Sequence, residues 1–236
     1  MPNIIIEDGE WGSSCLENIH AVVHSVCDIF LTDAAIDVTD SIIVRFSKLH
    51  GPRALLERGP NNEHIILVSA NNCLWSQLAY QFAHEYCHVF SMHYLVPLHN
   101  PFRWLEESLC ETASLHAMLR MGEVWQTTAP YSSWVSYAGS LTEYANDRIN
   151  AVAKFDTSDD FRSWLDLNIN RMTANSVIRE LYTALSAFMK YSRSLLSQWL
   201  KNVYVLHITG KCCIDRSTSR RSHCQKWTRH RQSIHD

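Results

Sequence analysis

His84-Glu85-Tyr86-Cys87-His88 places two imidazoles four residues apart, with a carboxylate directly after the first. On an α-helix, residues i and i+4 lie on one face, one turn apart. His84 and His88 can therefore point at a single metal ion, and Glu85 stands where its carboxylate reaches a water bound to that ion. Zinc takes imidazole and carboxylate ligands and keeps one position open in catalytic sites. The ion acidifies its water, and a nearby carboxylate takes the proton during attack on a carbonyl. This chemistry needs a helix, and the pattern predicts one from about 73 to 94, with Leu74, Leu78, Phe82, Val89 and Phe90 on its apolar face.

Upstream of that helix the chain mixes strand and helix. His64 to Ala70 (HIILVSA) is the strongest strand signal, ended by Asn71-Asn72 and preceded by the loop Gly59-Pro60-Asn61-Asn62. Ser41 to Phe46 reads as a strand, Gly51-Pro52 as a turn, and Arg53 to Arg58 as a second strand or a short helix. Residues 15–31 carry Leu16, Ile19, Val22, Val23, Val26, Ile29 and Phe30 on one helical stripe, with Ser13 or Ser14 as cap and Glu17 placed to return the bond. His20 and His24 repeat the four-residue spacing there, but Ala21 supplies no base, so they read as solvated helix histidines. Ile4-Ile5-Ile6 reads as a short edge strand.

Downstream the chain reads as helical. Pro97 and Pro101 bracket a loop, a helix spans about 102–121 with Gly122 as its C-cap, and residues 125–132 form a loop. Helices follow at about 133–151, 158–170 and 174–203, the second capped from Asp156, Thr157 or Ser158. The expected fold is α+β: a small N-terminal mixed sheet with the metal helix over 1–94, a mainly helical lobe over 95–205, and a tail over 206–236. A cleft between two such lobes is a common place for a substrate site.

Three protein ligands are expected at a catalytic zinc. Trp104-Leu105-Glu106-Glu107-Ser108-Leu109-Cys110-Glu111 offers carboxylates on the next helix. Glu107 follows His88 after 18 residues, and Glu111 lies one turn further on the same face. One carboxylate can bind the metal while the other accepts the remaining N–H of a ligand histidine, a partner that metal-bound histidines usually have. Inward-pointing carboxylates are costly without a cation or hydrogen bonds. Glu106 reads as a solvated helix residue and Cys87, off the His84/His88 direction, as a small buried thiol.

His-Glu-x-x-His, 18 residues, then Glu resembles the gluzincin clan of zinc metallopeptidases, and Trp104 to Ser108 is similar to that clan's third-ligand segment. The likeness covers about residues 60–115 and is to the small single-unit members. It implies a zincin-like fold, one zinc ion on His84, His88 and Glu107, Glu85 as general base, and Glu111 orienting His84. It also implies that the strand before the metal helix, HIILVSA here, is the sheet edge that pairs with an extended peptide. A Tyr or His downstream of the third ligand is implied as oxyanion donor. Tyr131, Tyr137, Tyr144 and Tyr182 are available, and Tyr137 and Tyr144, seven apart on one predicted helix, come first.

Composition fits a globular chain of 236 residues, 46% apolar, with few Gly (7) and Pro (6). Of 21 Lys/Arg and 24 Asp/Glu, seven and two fall in residues 211–236, giving a tail of +5 on a body of −8. That tail, with Cys212, Cys213, Cys224, His223, His230 and His235, matches no familiar ligand spacing and reads as a poorly ordered or loosely docked extension. The acidic start has no secretory-signal pattern, no apolar run is long enough for a membrane span, and thiols beside a zinc site point to a reducing, cytoplasmic setting. The expected partner is a peptide or protein substrate, with neither membrane nor nucleic acid, and the oligomeric state is open. Two rivals stand beside a peptidase: a regulatory or binding protein with a closed zinc site, and a metal-dependent amide hydrolase acting on a non-peptide substrate.

Overall fold

The computed structural model describes residues 1–34, 36, 38–90, 103–151 and 157–173. It is α+β. The elements run β1 (Ile4–Ile6), α1 (Leu16–Ala34), β2 (Ile42–Phe46), β3 (Arg53–Ala54), β4 (His64–Val68), α2 (Trp75–Phe90), α3 (Arg103–Thr128), a 3-10 helix (Ser132–Tyr137), α4 (Ala138–Asn150) and α5 (Ser158–Thr173). The sheet order is β1-β2-β4-β3. β1 and β4 run parallel to β2, and β3 runs antiparallel to β4, pairing Arg53 with Leu67 and Ala54 with Ile66.

Alternation along the strands sorts side chains onto two faces. Ile4, Ile42, Val44, Ile66 and Val68 join the main core, while Ile43, Ile65 and Leu67 form a small cluster on the other face with Leu55. All five residues of β4 are buried, as suits a strand flanked on both sides. HIILVSA is therefore an interior strand. The sheet edge next to α2 is β3, which shrinks the expected 53–58 segment to two paired residues.

α2 is the centre of the molecule. Of its sixteen residues only Gln77 and His84 escape full burial. A helix apolar almost all round has to be covered on every side. α1 and the sheet cover one side of α2, and α3 the other, within a single apolar cluster that continues to α4. Leu74, placed above on the apolar face, precedes the helix and is exposed. Ser14 does not cap α1: its hydroxyl accepts the Cys73 N–H at 2.9 Å, tying the chain before α1 to the turn before α2.

α3 runs through Gly122 to Thr128, so Gly122 is not a C-cap. A Cβ there would lie 2.2 Å from Thr142 Oγ1 and 3.1 Å from the Ala138 carbonyl. The glycine permits the close approach of α3 and α4, and packing overrides its weak helix propensity. The single predicted helix over 133–151 breaks into a 3-10 turn and α4. Thr157 caps α5 reciprocally: its hydroxyl accepts the Asp160 N–H at 3.1 Å, and its own N–H donates to Asp160 Oδ2 at 3.0 Å. The Pro97–Pro101 loop, the helix expected over 174–203, Tyr182 and the basic tail lie outside the described residues.

Candidate metal centre

α2 and α3 pack side by side, and the polar centre forms where their facing sides carry His84, His88, Glu106, Glu107, Cys110 and Glu111. The helical repeat places the two imidazoles next to each other, with ring centroids 5.0 Å apart. Both turn Nε2 toward the same oxygen: Glu107 Oε2 lies 3.3 Å from His84 Nε2 and 3.6 Å from His88 Nε2. The opposite ring nitrogens face separate carboxylates. His84 Nδ1 is 3.7 Å from Glu111 Oε2, and His88 Nδ1 is 2.9 Å from Glu106 Oε1.

Glu106 is thus no solvated helix residue. Its side chain is 12% exposed and holds His88. The face of a single helix cannot predict this, because the crossing of α2 over α3 brings two adjacent residues, 106 and 107, onto the two histidines. Glu111 accepts a short hydrogen bond from the Tyr80 hydroxyl. Arg148 of α4 in turn donates to the Tyr80 oxygen at 3.2 Å and to the Tyr144 oxygen at 3.0 Å, with its guanidinium 3.9 Å over the Tyr80 ring. A continuous chain therefore runs Arg148, Tyr80, Glu111, His84. Tyr80 lies one turn before His84 on α2, a spacing visible in the sequence; Arg148 becomes relevant only through the packing of α4.

Glu85 projects from another side of α2, as its position requires. Its carboxylate is nearly buried and accepts the Ala54 N–H at 2.7 Å. Leu55 N–H bonds Ile65 O of β4, so the Ala54 N–H points to the outer side of β3. Glu85 therefore meets the outer edge of the sheet. Tyr137 and Tyr144 part company. The Tyr137 oxygen accepts from the Ser76 N–H at 3.2 Å, at the start of α2 and about 12 Å along the helix from His84. Tyr144 lies beside Tyr80, its ring tilted 60° to it with centroids 5.7 Å apart, and is joined to the site through Arg148. Tyr131 is exposed against Trp134.

Charge pairing ties the imidazoles and carboxylates of this centre together. Burial by itself would lower the pKa of His84, but Glu107 and Glu111 outweigh it and hold the imidazole up at about 9. His88 is raised in the same way by Glu106 and Glu107 against the effect of burial. Burial would raise Glu107, yet the two imidazoles pull it far below the usual carboxylate range. Glu111 is lowered chiefly by His84, again against burial.

Two distances in the His84, His88 and Glu107 set compare directly with a tetrahedral metal site. Tetrahedral bonds of about 2.0–2.1 Å require ligand–ligand edges of about 3.3–3.4 Å, and the two contacts of Glu107 Oε2 are 3.3 and 3.6 Å. Each imidazole carries a carboxylate behind it, the arrangement that fixes ring tautomer at metal sites. Among the described residues, the group whose ligand atoms all lie within 4.8 Å of one another is His84, His88 and Cys110, which shares the two histidines but not Glu107. Cys110 stands three residues after Glu107, so the sequence spacing already puts it on the same helical face. Cys87 is a buried free thiol, as expected.

No helix among the described residues is long and apolar enough to cross a membrane. No family model, curated protein or solved structure matches the chain.

Proposed function

We propose that this protein is a zinc-dependent hydrolase of peptide bonds, with His84, His88 and Glu107 as the residues that would hold the ion. The observation that carries the reading is the shared aim of both Nε2 atoms at Glu107, each ring backed by its own carboxylate, Glu111 or Glu106. The ion, when bound, supplies Lewis acidity and an acidified water.

The chain's own groups have separable tasks. Glu85 takes the proton of the attacking water and delivers it to the leaving amine. Its tie to the Ala54 N–H places that carboxylate beside the outer strand of the sheet, where an extended peptide can add by main-chain pairing. Glu111, braced by Tyr80, and Glu106 fix the two imidazole rings. Tyr144 is the hydroxyl we assign to oxyanion donation, because it joins the centre through Arg148, whereas Tyr137 is engaged at Ser76.

Glu85→Gln separates binding from chemistry. Metal content by elemental analysis should match the parent, while hydrolysis of a peptide library falls at least about a hundredfold, the scale of a lost general base. Hydrolysis that survives this change would overturn the mechanism. Glu107→Ala should weaken zinc binding, and unchanged affinity would remove Glu107 from the ligand set. The second reading, a closed site in a binding or regulatory protein, is favoured by one observation, the presence of Cys110 beside both histidines.

A further inference from the structure

We infer that Arg148 is a positioning residue of the metal centre: acting through Tyr80 and Glu111, it sets the direction of hydrogen bonding so that His84 keeps its proton on Nδ1 and turns the Nε2 lone pair toward Glu107. The inference rests on the metal-site reading and adds to it a residue from α4. Local spacing lays out both ends. Tyr80 and His84 are one turn apart on α2, and Tyr144 and Arg148 one turn apart on α4, so each pair shares a helix face. Arg148 stands in the last turn of α4, where the helix dipole favours a cation. Its guanidinium lies 3.9 Å from the Tyr80 ring centroid and 5.0 Å from that of Tyr144. One terminal nitrogen donates to the Tyr80 oxygen at 3.2 Å and the other to the Tyr144 oxygen at 3.0 Å. The planar fork is thereby held at two points.

A guanidinium carries five N–H donors and no acceptor, and it keeps its proton in proteins. The Tyr80 oxygen therefore accepts from Arg148, and the Tyr80 O–H is left to donate, which it does to Glu111 Oε2. An ionised carboxylate only accepts. His84 Nδ1, facing the same oxygen at 3.7 Å, can then serve it only as an N–H. In the neutral imidazole a proton on Nδ1 leaves the lone pair on Nε2. Nε2 is the atom turned to Glu107 Oε2, at 3.3 Å. The direction imposed at Arg148 thus passes through two side chains to the histidine. Tyr80 and Glu111 are both buried, so water does not readily substitute for a missing partner. Without the cation the Tyr80 oxygen is open to accept, and the direction is no longer imposed.

A double-mutant cycle on zinc affinity tests this in the full-length chain, using the wild type, Arg148→Met, Tyr80→Phe and the double variant in competition with a chromophoric chelator. Arg148→Met keeps an apolar stem and removes the donors. Each single change should weaken zinc binding about tenfold or more, the scale for partners behind a ligand histidine. The double variant should be no more than about twofold weaker than the weaker single one, because both changes interrupt one path. Arg148→Lys, also a donor without an acceptor, should recover part of the loss. If Arg148→Met fails to fold by circular dichroism, Arg148→Gln takes its place in the cycle. Wild-type affinity in Arg148→Met, losses that multiply in the double variant, or an Arg148→Lys chain as weak as Arg148→Met overturns the role of Arg148 and leaves the metal site standing. A wild-type chain that takes up no zinc overturns both readings together.

Discussion

Glu111 has two partners that pull in one direction. It faces His84 Nδ1 at 3.7 Å and accepts from the Tyr80 hydroxyl, which itself receives Arg148. Tyr80→Phe removes the brace without removing ring volume. Metal affinity, read by competition with a chromophoric chelator, should fall about tenfold to a hundredfold, the range for partners behind a ligand histidine. Tyr144→Phe, which leaves the Tyr80–Glu111 bond intact, should change it much less. Equal affinities in Tyr80→Phe and the parent would show that Glu111 needs no support.

The same residues set a pH dependence for the metal-free chain. His84 moves from its ordinary 6.5 to about 9 on folding. A histidine raised in this way contributes stability that is complete below about 6.5 and is lost as pH rises through about 9. The contribution is on the order of 3 kcal/mol for a shift of this size, and His88 adds to it in the same direction. Glu107 and Glu111 are lowered, so their share is present above the usual carboxylate range and is lost on acidification below it. Denaturation in chelator should therefore give maximum stability near pH 5–6.5 and a decline toward pH 9. Saturating zinc should abolish that decline, because it binds the deprotonated imidazoles. A metal-free chain equally stable at pH 6.5 and 9 would contradict the ion-paired centre.

Among the elements, the crossing of α3 and α4 is decided by one missing side chain. Gly122→Ala would improve helix propensity by about 1 kcal/mol. The added Cβ, however, falls 2.2 Å from Thr142 Oγ1 and 3.1 Å from the Ala138 carbonyl. The net effect should be destabilising by about 1–3 kcal/mol in urea unfolding, the usual cost of overpacking. Thr142→Ala in the same chain should restore part of it, but not all, because the backbone contact stays. A Gly122→Ala chain more stable than the parent would mean that the two helices do not approach this closely. α2 behaves differently: its position follows from burial on nearly every side, and no single residue aims it.

At the scale of the molecule, one apolar cluster extends from Ile4 and Val44 in the sheet through Phe82 and Tyr86 of α2 to Met118 and Trp125 of α3 and Leu141 of α4. Among the described residues, the regions expected to act as two lobes share this core from Ile4 to Ala145. Unfolding should then be cooperative: amide exchange in α1 and α4 should report the same global opening free energy. Metal at a hundred times its dissociation constant should raise both by about 2.7 kcal/mol. Protection that differs widely between the two helices, or rises in only one on adding zinc, would separate them into independent units.

Much of this architecture follows from local pattern. The four-residue spacing of His84 and His88 dictates a shared helical face, and the apolar run at 64–68 is a strand by length and branching. The stripe at 16–30 makes an amphipathic helix, and Thr157 can cap α5 because its partner Asp160 is three residues away. Such features depend on residues within a turn or two of each other, so the chain determines them by itself. What lies on different elements was settled by tertiary packing. The angle between α2 and α3 gives Glu106 to His88 and brings Cys110 to both histidines; the placing of α4 sets Arg148 on Tyr80; and the pairing of β3 with β4 moves the sheet edge to Ala54 and lays it against Glu85. Helical periodicity says which direction a side chain leaves its own axis. It says nothing about what another axis, crossing at an angle set by the whole core, will present to it. For the motif at 84–88, the two imidazoles were therefore decided by sequence, and the carboxylates and the thiol around them by the fold.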